Sequence, residues 1–142
     1  MIRYILILII CLALSPILAS ANDKLAIVTN ANSDITSINP KELRRLYLGL
    51  RVAKNSKQLS AIRNHSDEIL HEAFLQKVMF MSSRTYERQL NLRTIRKGLK
   101  PPSIISTQKG VLSAITQASN GIAYMWKTQA ENNPDIRILE TR

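Results

Sequence analysis

The sequence has one cysteine, two histidines and half as many acids as cations, 10 Asp and Glu against 20 Lys and Arg. Each shortage removes a class of chemistry. Cys11 falls within the first 21 residues, so the chain beyond them has no thiol and no disulfide, and its stability must come from packing. No Gly-x-Ser-x-Gly elbow is present, so nucleophilic catalysis has nothing to work with beyond serine and two histidines. No acid-base pair is suggested, and no cofactor is expected. Internal repeats, low-complexity tracts, nucleic-acid motifs and rows of aromatics are also missing, so nucleic acid is not expected as a partner.

What is present begins with a leader. Residues 1–21, MIRYILILIICLALSPILASA, carry Arg3, an apolar run from Tyr4 to Leu14, Pro16 near its end, and the small residues Ala19, Ser20 and Ala21. That is the pattern of a cleaved export signal. The run is short against the roughly 20 apolar residues of a membrane span. Residues 22–142 are then one exported domain, placed in the periplasm and expected to be a monomer.

Losing Arg3 takes the cations from 20 to 19 against 10 acids, a surplus of nine. The surplus is concentrated. Between Lys41 and Lys109 stand fifteen Lys or Arg and five Asp or Glu, whereas Glu131, Asp135 and Glu140 lie in the tail. A basic middle attracts phosphate-bearing small molecules or acidic surfaces.

The pattern of elements alternates. KLAIVTN, from Lys24, reads as a buried strand, followed by a loop with Thr29, Asn30, Asn32 and Ser33. Asn39, Pro40 and Glu42 form a helix-start signature, with Leu43, Leu46, Tyr47 and Leu50 at helical spacing and Gly49 to end it. RVAKNSKQ reads as a polar turn, and LSAIRN as a second strand. A helix to about Met81 follows, with Ser66 as its cap and Ile69, Leu70, Ala73, Phe74, Lys77, Val78 and Met81 as its inner stripe. Residues 83–98 are helical by composition but badly patterned, which predicts a break near Asn91. Ser106 or Thr107 caps a further helix with Val111, Leu112, Ile115 and Ala118 inward, and IAYMW and IRIL are the last strands. Alternating strands and helices predict an α/β domain with a largely parallel sheet.

RNHSDEILHEAF, residues 63–74, crowds chemistry into twelve positions. Glu68 and His71 form a Glu-x-x-His pair with Glu72 adjacent, but no second such pair exists to complete a di-iron site. On the predicted helix these three lie opposite the apolar stripe, which reads as a solvent-facing surface and not as a metal site. Arg63 ends a strand, where α/β sheets gather ligands, and His65 stands just before the cap. Ser106 and Thr107 supply a second helix start with free backbone N–H groups. Tyr124 and Trp126 read as core or hinge residues.

The order INPKELRRLYLG, RNHSDEILHEAF, YERQLNLRTIRKGLKPP and NGIAYM, over nearly all of the exported chain, resembles short members of the type 2 periplasmic-binding-protein superfamily labelled phosphate ABC transporter substrate-binding-like. The family's aromatic-aliphatic-Gly step matches Tyr47, Leu48 and Gly49, and its Gly-Ile-Gly-Tyr element matches Gly121, Ile122, Ala123 and Tyr124. The resemblance implies a three-layer α/β fold with small, mostly parallel sheets, a pair of lobes around a cleft, a non-catalytic role, and an oxyanion such as phosphate held by strand-to-helix loops. On this chain the candidate ligand residues are Thr29, Asn30, Ser33, Arg63, His65, Ser66, Ser106 and Thr107. The family's arginine and Ser-Gly-Thr cradle align with Arg63 and Ser66, but Asp67 and Glu68 stand where Gly and Thr would. Two carboxylates beside a desolvated oxyanion repel it by on the order of several kcal/mol. A neutral or cationic ligand, or none, stays open.

Two functions follow. One is a periplasmic solute-binding protein that delivers its ligand to a membrane transporter or reports it to a receptor. The other is a ligand-free module that docks on an acidic protein or membrane surface through Arg84, Arg88, Arg93, Arg96, Lys97 and Lys100.

Overall fold

Along the first apolar run the side chains alternate between two separate cores: Ala26 and Val28 pack into one, Ile27 into the other. The computed structural model describes residues 23–142, so the expected leader lies outside the described residues. In chain order the elements are β1 (Leu25–Asn30), β2 (Ser37–Ile38), α1 (Pro40–Tyr47), β3 (Ala53–Lys54), β4 (Lys57–Gln58), β5 (Ser60–Asn64) and α2 (Glu68–Phe74). A π-helical turn (Leu75–Met79) prolongs α2. Then come α3 (Ser83–Lys97), β6 (Ser103–Ile105), α4 (Gln108–Gln117), β7 (Gly121–Trp126), α5 (Lys127–Glu131), β8 (Ile136–Ile138) and β9 (Glu140–Thr141).

The main sheet has the order β6-β5-β7-β1-β8. β5 runs parallel to β6 and β7, and β1 runs antiparallel to both β7 and β8. Four strands therefore share one direction and β1 alone opposes them. Period-two alternation continues in β7, where Ile122 and Tyr124 join one core and Ala123 and Met125 the other. Leu43, Leu46 and Tyr47 of α1, Leu70 and Phe74 of α2, and Tyr86 and Leu90 of α3 cover the first face. Val111 and Ile115 of α4 and Ala130 of α5 cover the second. The result is the three-layer, mostly parallel arrangement expected. The implied pair of lobes is not found: the described residues build one main sheet.

Local chemistry sets the boundaries. Asn39 Oδ1 accepts from the Lys41 N–H at 2.8 Å and the Asn39 N–H donates to Glu42 at 3.2 Å, closing the capping box. Gly49, at φ +81°, ends the first helix in the left-handed region that glycine adopts without penalty. The polar RVAKNSKQ stretch forms a hairpin, β3 to β4, with Asn55 and Ser56 both at positive φ, as a two-residue turn of matching twist requires.

Two helix expectations need correction. The second helix buries part of the expected stripe, Leu70 and Phe74, with Val78 and Met81 packed against the core, but it also buries His71, Leu75 and Met79 and leaves Ile69 72% exposed. It ends with Phe80 in a left-handed conformation, short of Met81. The break near Asn91 is absent, because α3 buries only Tyr86 and Leu90 and leaves its mismatched Ile95 in water.

Replacing Asn39 by alanine removes the side-chain bond of the cap and leaves the backbone bond to Glu42, and about 1 kcal/mol of stability should go with it. Urea denaturation reads this as a lower midpoint with an unchanged slope.

Candidate functional site

A mostly parallel sheet brings strand ends together, so the single antiparallel strand decides which candidates can meet. The register pairs Leu25 with Trp126 and Val28 with Ala123, so the end of β1 lies beside the start of β7. Thr29, Asn30 and Ser33 are therefore at one edge of the sheet and Arg63, His65, Ser66, Ser106 and Thr107 at the other. The first three are buried and committed there. Thr29 donates to the Gly121 carbonyl at 2.7 Å, Asn30 to the Thr116 carbonyl at 2.9 Å, and the Ser33 hydroxyl accepts from the Ile35 N–H at 3.2 Å. They do not join the strand-end site.

At the other edge the parallel pairing continues past β5 and β6, with the His65 N–H donating to the Ile105 carbonyl at 2.9 Å. This holds His65 and Ser66 next to Ser106 and Thr107 in the chain order of the two strands. Thr107 caps α4 by accepting from the Gly110 N–H, and Ser106 is exposed. Ser66 is not the cap of α2. Asp67 takes that role, accepting from the Leu70 N–H at 3.1 Å, while the Ser66 hydroxyl donates to Asn64 Oδ1 at 2.6 Å.

Arg63 leaves β5 toward α3 and is only 4% exposed. Its Nη1 donates to Glu87 at 2.8 Å, its Nε to the Pro102 carbonyl at 3.2 Å, and its guanidinium lies 5.9 Å from the Tyr86 ring centre. A buried guanidinium without such partners would be costly. Its positive charge stays close to the histidines.

His71, expected on the solvent face, is 8% exposed. The Tyr124 hydroxyl accepts from the Asn64 N–H at 3.1 Å, so its own proton points at His71 Nδ1, 2.6 Å away. Burial pushes the Tyr124 hydroxyl above its ordinary range, so the proton stays on oxygen. His71 is thus held neutral with its proton on Nε2. Burial, then the neighbouring His65 and Arg63, lower the His71 pKa to about 4. His65 packs its ring 4.1 Å from that of His71, and its pKa is lowered by burial and by Arg63. Its Nε2 is buried without a hydrogen-bond partner.

His65, Glu68, His71 and Ser83 line a cavity of about 350 Å³ at this edge. The neighbouring Asp67 stays ionised, since Trp126 Nε1 and the Leu70 N–H both donate to it and hold its pKa low. Both of its oxygens face those donors. A larger hollow of about 570 Å³ over Leu25, Ile27 and Leu139 has a more apolar lining, and the three lysines that also line it, Lys24, Lys77 and Lys127, are all exposed. No group of three metal-ligating side chains converges among the described residues. Sequence reasoning named Arg63 and His65 but missed Glu87 and Tyr124, whose roles depend on contacts 24 and 53 residues away in the chain.

No family model and no curated protein matches the sequence. Solved structures do match. An ABC-type phosphate transport receptor from Vibrio cholerae superposes with TM-score 0.61 at 11% identity, covering 84% of this chain and 46% of that one. PstS from Borrelia burgdorferi superposes with TM-score 0.62 at 14% identity, covering 84% and 47%. The chain shares the fold of these neighbours over 84% of its own length and spans less than half of theirs. Among the described residues no helix is long and apolar enough to cross a membrane.

His71 binds a proton more readily in the unfolded chain than in the folded one, so between its ordinary pKa and about 4 the unfolded state carries more protons. Stability should therefore fall as pH drops through that window. The His71→Gln variant should show a shallower fall in urea midpoint over the same range.

Proposed function

We propose that the chain is a non-catalytic periplasmic solute-binding protein whose ligand occupies the cavity at the carboxyl end of β5, between α2 and the start of α3. The observation that carries this reading is that His65 lines the cavity while its Nε2 is buried without a partner. A buried polar atom in that state is costly unless something completes its bonding. The ligand class is a small oxyanion. His71 offers an N–H at Nε2, Ser83 a hydroxyl, and Arg63, outside the lining, supplies positive charge close to both histidines, while Asp67 is occupied by Trp126 and the helix start. The Arg63 charge is already offset by Glu87, and Glu68 adjoins the cavity, which favours an anion of single charge over a dianion. The structural neighbours, one a phosphate transport receptor, support an anion ligand and handover to a membrane transporter or receptor.

Thermal unfolding of residues 22–142 in millimolar phosphate, sulfate and acetate tests this. A bound oxyanion should raise the midpoint by ligand linkage, about 2.7 kcal/mol of added stability at a hundred times its Kd. The rise should shrink in His65→Ala. A flat response to all three anions would sink the reading.

A further inference from the structure

Only Tyr86 and Leu90 of α3 are fully buried. Its outward stripe is Arg84, Arg88, Leu92 and Ile95, with Arg96 beside it and Lys97 at the helix end, and every one of the six is exposed, Ile95 to 81%. Glu87, the one acid in the helix, is taken by Arg63. Among the described residues those four cations have no ion-pair partner, and residues 1–22 contain no Asp or Glu to supply one.

This pattern works against the helix. Arg84 lies in the first turn, where the helix dipole disfavours cations, and no acid stands there. Arg84 with Arg88 and Arg93 with Lys97 are like charges four residues apart, a spacing that weakens a helix. Arg93 places its Nε out of water without an acceptor, beside a hollow of about 210 Å³ shared with Gln89, Leu92, Arg96 and Lys97. At the approach to α3, Phe80 is held at φ +56°, a region that bulky residues rarely adopt, and is 71% exposed. The Arg44 guanidinium lies 5.5 Å from its ring centre.

We infer that α3, with Phe80 at its entry, docks on an anionic phospholipid membrane. The surface supplies guanidinium forks, which pair bidentately with phosphate. Its apolar members, Leu92 and Ile95, are flanked by cations, and the hollow beside Leu92 is lined otherwise by Gln89, Arg93, Arg96 and Lys97, a polar lining unlike that of a groove that receives an apolar protein segment. Single apolar side chains flanked by cations suit the headgroup boundary, where the cations meet lipid phosphate and the apolar groups enter below it. This inference is independent of the solute-binding reading, since it uses the outer face of α3 and not the cavity.

Sedimentation with vesicles of phosphatidylglycerol and phosphatidylcholine, against phosphatidylcholine alone, decides it. The protein should bind only the anionic vesicles, less in high salt. Affinity should drop about tenfold or more in the Arg84→Gln/Arg88→Gln variant. A Lys41→Gln/Lys109→Gln control, with the same loss of charge elsewhere, should bind nearly as the unaltered protein does. Phe80→Gly, which relieves the left-handed backbone, should keep its thermal midpoint and bind more weakly. Equal losses in the arginine pair and the lysine control would overturn the proposal, because net charge alone would explain the binding. So would the absence of vesicle binding, which would leave an acidic protein as the occupant of this face.

Discussion

A phenol placed in the centre of a sheet must find partners there, and much of this molecule follows from how Tyr124 finds them. β7 is buried on both faces, so the Tyr124 hydroxyl has no water to fall back on. Leaving it unpaired would cost about 1–3 kcal/mol. The Asn64 N–H and His71 Nδ1 satisfy it, which draws His71 inward and turns α2 so that Ile69 faces water. Phe74 then stacks on the Tyr124 ring at 3.9 Å, and Tyr47 packs against both rings. The same contact fixes the proton of His71 on Nε2 and places the ring in the cavity wall.

The few acids are spent close to home. Glu42 completes the cap of α1, Asp67 caps α2 and accepts from Trp126, and Glu87 neutralises Arg63. Each supports an internal feature. The excess cations are then left without partners on the outside, above all along α3. Scarcity of acid in the composition thus becomes two separate surfaces: a strand-end cavity whose one buried charge is paired, and a helix face whose charges are not.

Near-neighbour signals were legible in the sequence to within a residue or two. The box at Asn39 and Glu42, the left-handed Gly49, the buried runs of β1, β5 and β7, and the cap at Thr107 all arise from interactions spanning a few positions. Errors came where a distant contact outweighed the local pattern. Ser66 offers a good cap oxygen, but Asn64 claims its hydroxyl and Asp67 replaces it. Residues 83–98 have incompatible apolar faces, yet no break is needed when one of those faces is simply left in water.

By itself the sequence determined the layer pattern, the basic surplus and the strand-end position of Arg63 and His65, because periodicity, composition and caps are written in adjacent residues. Only the tertiary structure decided which candidates share a site. Strand direction is not encoded in an apolar run, and the reversal of β1 within an otherwise parallel sheet moves Thr29, Asn30 and Ser33 to the far edge from Arg63. Likewise the inward face of His71 depends on a hydroxyl 53 residues away, which no local pattern contains.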